Sequence, residues 1–127
     1  MSHTQAFCKA ARLLTPYDFK QVFNRVSFRL SSASLVILVR SRTAGMARLG
    51  LIVARKNARR SVDRNRIKRI ARESFRKNQR ALGCYDYVVM TRPGVVAVSN
   101  PALNAELDRL WRDAQQRILS FATEVRS

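Results

Sequence analysis

Asn57 to Phe75 reads NARRSVDRNRIKRIARESF, and the fold turns on this stretch. Ile67, Ile70, Ala71, Ser74 and Phe75 recur at spacings of three and four, so a helix gathers small and apolar side chains on one face. Arg64, Asn65, Lys68, Arg69, Arg72 and Arg76 take the remaining faces. Side chains three or four positions apart are neighbours on a helix, so Arg64, Lys68, Arg72 and Arg76 fall in one cationic row. Like charges at that spacing destabilise an isolated helix. Docking of the apolar stripe behind, and a polyanion in front, make the arrangement sensible. RNA is the polyanion that fits best.

The rest of the composition points the same way. The 127 residues are 46% apolar, enough for one packed core and too hydrophobic for wholesale disorder. The expectation is a single RNA-binding domain over residues 1–127, with a flexible basic arm at 1–11 and a frayed tail at 120–127. A net charge of +17 and a pI near 11.7 imply a phosphate-rich or anionic-membrane partner. That charge is concentrated: twelve of the 25 Lys and Arg lie between Arg55 and Arg80, against only Asp63 and Glu73. The N-terminus lacks the apolar core of a signal peptide, and the longest apolar run, Leu35 to Val39, is too short to cross a bilayer. Cytoplasmic residence is therefore expected.

Catalytic groups are scarce. His3 is the sole histidine and lies in the arm; Cys8 and Cys84 lack Cys-x-x-Cys spacing and read as incidental thiols. Asp18, Asp63, Glu73 and Asp86 are scattered singly, and the glycines form no phosphate-cradling loop. No protein nucleophile, general base or metal cluster can be proposed from these residues.

Around the basic stretch the elements follow in order. Thr15 as cap, Pro16 at the first position and Asp18 in the first turn start a helix that runs to about Arg25, with Leu14 stapled on Phe19. Val26, Phe28 and Leu30 suggest a short strand, and Ser34 to Arg40 a strand buried on both faces. Ser41 to Ala47 looks like a hairpin loop, and Arg48 to Ala54 a third strand. The basic helix is capped at Ser61 or nearby and extends to roughly Gln79. Tyr85 to Thr91 forms a fourth strand, stopped by Arg92-Pro93-Gly94. Asn100 caps a last helix with Pro101 in its first turn and Leu103, Leu107, Leu110, Trp111, Ala114, Ile118 and Phe121 as its apolar stripe. The expected fold class is an α/β (α+β) sandwich, αβββαβα, with a four-stranded, mainly antiparallel sheet packed with helices.

Four segments together resemble a known family, the protein component of bacterial ribonuclease P: RLLTPYDFKQVF (Arg12 to Phe23), LGLIVARK (Leu49 to Lys56), RNRIKRIARESFR (Arg64 to Arg76) and YDYVVMTR (Tyr85 to Arg92). The resemblance covers roughly Arg12 to Trp111. It implies the same αβββαβα sandwich, with a left-handed crossover through the basic helix, against the usual right-handed rule. It also implies that Arg64, Asn65, Arg66, Lys68, Arg69 and Arg72, with Arg59 and Arg60, contact a catalytic RNA. A groove between the first helix and the sheet would take the single-stranded 5′ leader of precursor tRNA. Arg12, Phe19, Phe23, Arg55, Lys56 and Arg92 match its positions. Spacing alone reads Phe19 and Phe23 as core; the resemblance raises base stacking above it. Leu38 departs from the family's frequent tyrosine on the second strand, which alters one groove contact.

The function this implies is that of the protein subunit of an endoribonuclease that matures the 5′ end of tRNA. Catalysis and Mg²⁺ would belong mainly to the RNA subunit, the protein alone being inactive, without a cofactor of its own. The expected partners are the catalytic RNA and precursor tRNA, with neither membrane nor DNA, and a monomer when free of RNA. A ribosomal or general RNA-binding protein is the alternative that charge and pattern allow.

Overall fold

The computed structural model describes residues 15–43 and 45–126, with side chains up to residue 120. The basic arm, Arg12, and the staple from Leu14 lie outside the described residues, as do the side chains of the expected frayed tail from residue 121 onward.

Helix α1 (Pro16–Asn24) begins in a capping box. The Thr15 hydroxyl accepts from the Asp18 N–H at 3.2 Å, and the Asp18 carboxylate accepts from the Thr15 N–H at 3.0 Å. Strands β1 (Phe28–Ser31), β2 (Leu35–Ser41), β3 (Arg48–Ile52) and β4 (Tyr85–Thr91) form one sheet in the order β1-β2-β4-β3. β1 and β2 are an antiparallel hairpin, β2 and β4 pair antiparallel, and β3 runs parallel to β4. The α2 helix (Ser61–Asn78) and a short 3₁₀ turn (Gln79–Leu82) carry the chain from β3 to β4.

One expectation needs correcting here. Residues 41–47 do not close a hairpin, because β4 enters between β2 and β3. Burial explains the order: β2 is buried from Leu35 to Val39 and β4 from Asp86 to Val89, so both need neighbours and cover on every side. β3 exposes part of Arg48, Leu51 and Ile52 and suits an edge.

The cap of α2 falls within the expected range, and that of the last helix shifts by one residue. Ser61 is the first residue of α2, and its N-cap residue Arg60 offers no side-chain bond; Asp63 supplies the favourable charge in the first turn. At helix α3 (Asn100–Arg126) the cap is Ser99, whose hydroxyl accepts from the Ala102 N–H at 3.3 Å. Asn100 is thereby free for another task.

The two faces of the sheet are covered unequally. On one, α2 and α3 bring Ile67, Ile70, Phe75, Leu103, Leu107 and Trp111 against Ile37, Leu49 and Tyr87. Phe75 and Tyr87 each lie 5.7 Å from Trp111, ring centre to ring centre, in edge-on contact. On the other face α1 contributes Val22, packed on Val36, Leu38 and Val88, with Phe19, Ile52 and Met90 only partly buried.

Candidate nucleic-acid interface

The stripe on α2 is buried as its spacing predicts: Ile67, Ile70, Ala71, Ser74 and Phe75 all face inward. Ser74 is polar yet buried because its hydroxyl accepts the Trp111 indole N–H at 2.8 Å. That bond pins α2 to α3, and the helix presents its remaining faces outward.

The cations on those faces divide into two kinds. Arg64 turns back and donates to the carbonyls of Ala58 at 3.0 Å and Arg59 at 2.7 Å, fixing the turn that leads into α2. Arg66 reaches the other way, to Asn100 Oδ1 at 2.7 Å and to the carbonyls of Val96 and Val98 at 3.2 and 3.3 Å. It thus clamps the loop before α3, and Asn100 serves this clamp in place of the cap. Asn65, Lys68, Arg69 and Arg72 make no side-chain hydrogen bond or ion pair with another described residue. The sole ion pair on α2 among the described residues joins Arg60 to Asp63 at 3.2 Å, and the Arg60 side chain is 75% exposed. Such a surface pair contributes little. The outer face is therefore a field of guanidinium and ammonium groups without internal partners, suited to phosphate oxygens.

The second group gathers beside α1. Phe19 is half-buried against the small apolar cluster, whereas Phe23 is 47% exposed. Ile52 pairs with Met90 in parallel register, so the turn after β3 and the end of β4 emerge at one end of the sheet. Asn57 secures this: its Nδ2 donates to the Thr91 carbonyl at 3.1 Å. Exposed Arg55 and Lys56 therefore stand at the same end as Arg92, whose guanidinium donates to the Ser32 carbonyl at 3.2 Å. The same turn runs into α2, so the two cationic groups adjoin. Leu38, at the tyrosine position of the resemblance, is buried under α1.

Sequence reading missed one feature. Asp86 is fully buried in β4 and accepts from Arg48 at 2.8 and 3.0 Å, with Arg40 and Arg42 each at 3.4 Å. Arg48 also reaches Asp18 on α1 at 3.3 Å. Burial works against the charged form of Asp18, but the Thr15 hydrogen bonds and Arg48 outweigh it and hold the carboxyl below its ordinary value. The bond to Asp86 likewise raises the Arg48 guanidinium. An Asp inside the apolar run Tyr85 to Met90 was the available signal, since a buried carboxylate requires a partner.

Among the described residues no group of three or more His, Cys, Asp or Glu could hold a metal ion. Cys84 carries a free thiol. No helix among the described residues is long and apolar enough to cross a membrane.

Comparison with known proteins completes the picture. The family model described as Ribonuclease P matches residues 7–115. A "Ribonuclease P protein component" from Photorhabdus laumondii is 49% identical over 107 residues, covering 84% of this chain and 89% of its own. A protein of the same name from Chromohalobacter salexigens is 40% identical over 114 residues, covering 90% and 89%. Among solved structures, the RNase P protein from Thermotoga maritima superposes with a TM-score of 0.68 at 30% identity, over 80% of this chain and 96% of that one. The Staphylococcus aureus RNase P protein gives a TM-score of 0.74 at 22% identity, over 81% and 94%, a likeness of fold.

Proposed function

The chain belongs to the ribonuclease P protein family, and on that premise we propose that it is the protein subunit of a ribonuclease P holoenzyme, binding the catalytic RNA and the 5′ leader of precursor tRNA. The observation that carries this reading is the outer face of α2, where Asn65, Lys68, Arg69 and Arg72 lack internal partners while the opposite stripe is buried.

Each phosphate that meets one of these cations releases condensed counterions, so affinity falls steeply with salt. Neutralising RNA phosphates lets the RNA fold and hold its metal at lower ionic strength. Arg64 and Arg66 act mainly as positioning residues, holding the approaches to α2 so that the free cations, with Arg59 and Arg60, present one surface. The cleft beside α1 grips the leader: exposed Phe23 and the rim of Phe19 offer faces for unpaired bases, and Arg55, Lys56 and Arg92 receive phosphates. A grip on the leader favours precursor over product, because the mature tRNA no longer carries it. Mg²⁺ held by the RNA subunit would supply the activation of water and the stabilisation of the phosphorane-like charge. The chain works in the cytoplasm as one domain and is monomeric when free of RNA.

Reconstitution tests this. The purified protein with a bacterial ribonuclease P RNA should cleave precursor tRNA at low salt where either component alone does not, and should bind precursor more tightly than mature tRNA. Equal affinity for both tRNAs, with no stimulation of the RNA, would leave a general RNA-binding protein.

A further inference from the structure

A concave site lies on the sheet end where β3 and β4 begin. It is a cavity of about 630 Å³ between α1, the start of β1 and the loop after β2, lined by Tyr17, Arg25, Ser27, Arg40, Arg42 and Arg48, among others. On α1, Tyr17 and Phe19 are two positions apart, about 200° around the helix, so the cavity opens on the flank away from Phe19 and Phe23. Arg55, Lys56 and Arg92 lie beyond the opposite ends of β3 and β4.

The charge here is incompletely compensated. Four guanidinium groups face two carboxylates, Asp86 behind the cavity and Asp18 in its wall. Arg25 is exposed and makes no side-chain hydrogen bond or ion pair with another described residue. Arg40 lines the cavity and bonds Asp86 through one nitrogen alone. Tyr17, 68% exposed, stands at the edge of the cavity. Buried Asp86 holds Arg40 in place, so an arriving anion meets one cation already positioned, while Arg25 adds a second with no internal partner to give up.

We infer that this cavity is a second RNA subsite, taking one phosphodiester on Arg25 and Arg40 with the adjoining unpaired base stacked on Tyr17. The inference rests on the RNA-binding reading above. Two strands could supply that nucleotide, the distal part of a long leader or an unpaired segment of the catalytic RNA.

The experiment separates them. Wild type, Tyr17→Ala and Arg25→Ala are each titrated against ribonuclease P RNA alone. Each is then reconstituted and titrated with mature tRNA and with precursors bearing leaders of about three and about twelve nucleotides. Circular dichroism checks folding, and Arg25→Lys provides a second variant that keeps the charge. Loss of one stacked base or phosphate weakens binding about fivefold or more and lowers the log–log salt slope by about one unit in the Arg25→Ala arm. A loss seen with RNA alone assigns the subsite to the RNA subunit. A loss confined to the gain from lengthening the leader assigns it to the leader. Wild-type affinity and slope in every arm for both alanine variants overturn the inference while the proposed function stands. Absence of any precursor preference or RNA binding in wild type overturns the proposed function, and the subsite with it.

Discussion

The two faces of the sheet put the same kinds of residue to opposite uses. Under α2 and α3, aromatic rings are sealed: Phe75, Tyr87 and Trp111 are almost wholly buried, and the first two meet Trp111 edge to face. Tyr87 donates to the Leu82 carbonyl at 2.6 Å, and burial pushes its hydroxyl far above the usual phenol range. Under α1, a helix of nine residues covers too little sheet to do this, and Phe19, Ile52, Met90 and Phe23 keep exposed edges. Arginine divides the other way: Arg48, on the α1 side, is spent on Asp86 and Asp18, while Arg69, on the outside of α2, has only solvent or a partner molecule. The face under α2 and α3 makes the fold, and binding is left to the outside of α2 and to the thinly covered face.

Breaking the sealed face should have the largest effect. Ile70→Asp places a charge in the α2 stripe and should cost more than about 4 kcal/mol, enough to unfold the chain. A variant with wild-type thermal midpoint and helical circular dichroism would show that this stripe is not what holds α2.

Asp86→Ala tests whether the thin face depends on its charge network. It strands three arginines, each still about a quarter exposed, so the loss in urea denaturation should be about 3 kcal/mol, the lower end for a broken buried pair. An unchanged midpoint would mean water already satisfies those groups.

The contrast sharpens with Phe23→Ala. Leader-bearing precursor should bind ~1–3 kcal/mol more weakly, with little change in stability because this ring is half in solvent. Lost stability with equal binding would return Phe23 to the core.

Arg69 and Arg66 give a smaller, more discriminating pair. Arg69→Ala should lower the salt slope of RNA binding by roughly one unit without touching the fold. Arg66→Ala should cost about 1–2 kcal/mol of stability, since two carbonyls and Asn100 lose their donor. The reverse pattern would exchange their roles.

The smallest effect belongs to Asp18→Asn, about 1 kcal/mol for the cap. Its carboxyl lies below the ordinary value of 3.8 in the fold, so the wild-type advantage is full above that value and fades as pH falls through the lowered one. An advantage independent of pH would remove the charge of Asp18 from the account.

Much of this was legible beforehand, for local reasons. The three- and four-residue spacing of Ile67, Ile70, Ser74 and Phe75 names the buried face of α2, and Thr15-Pro16 with Asp18 starts α1. Continuous apolarity marks β2 as a central strand. The basic surface follows from composition, because cations outnumbering acids on one helix cannot neutralise each other. The cap assignment failed by one residue at α3, where Ser99 and Asn100 both offer an oxygen and only the backbone chooses between them.

The amino-acid sequence by itself determined the elements, the sign and location of the charge, and the family. Tertiary structure alone decided that β4 lies between β2 and β3, that Asp86 collects three arginines, and that Arg66 is a clamp while Arg69 is free. Periodicity reports which face of one segment is apolar. It carries no information on which of several arginines meets a carboxylate or carbonyl 30 to 46 residues away, since that depends on strand order and register.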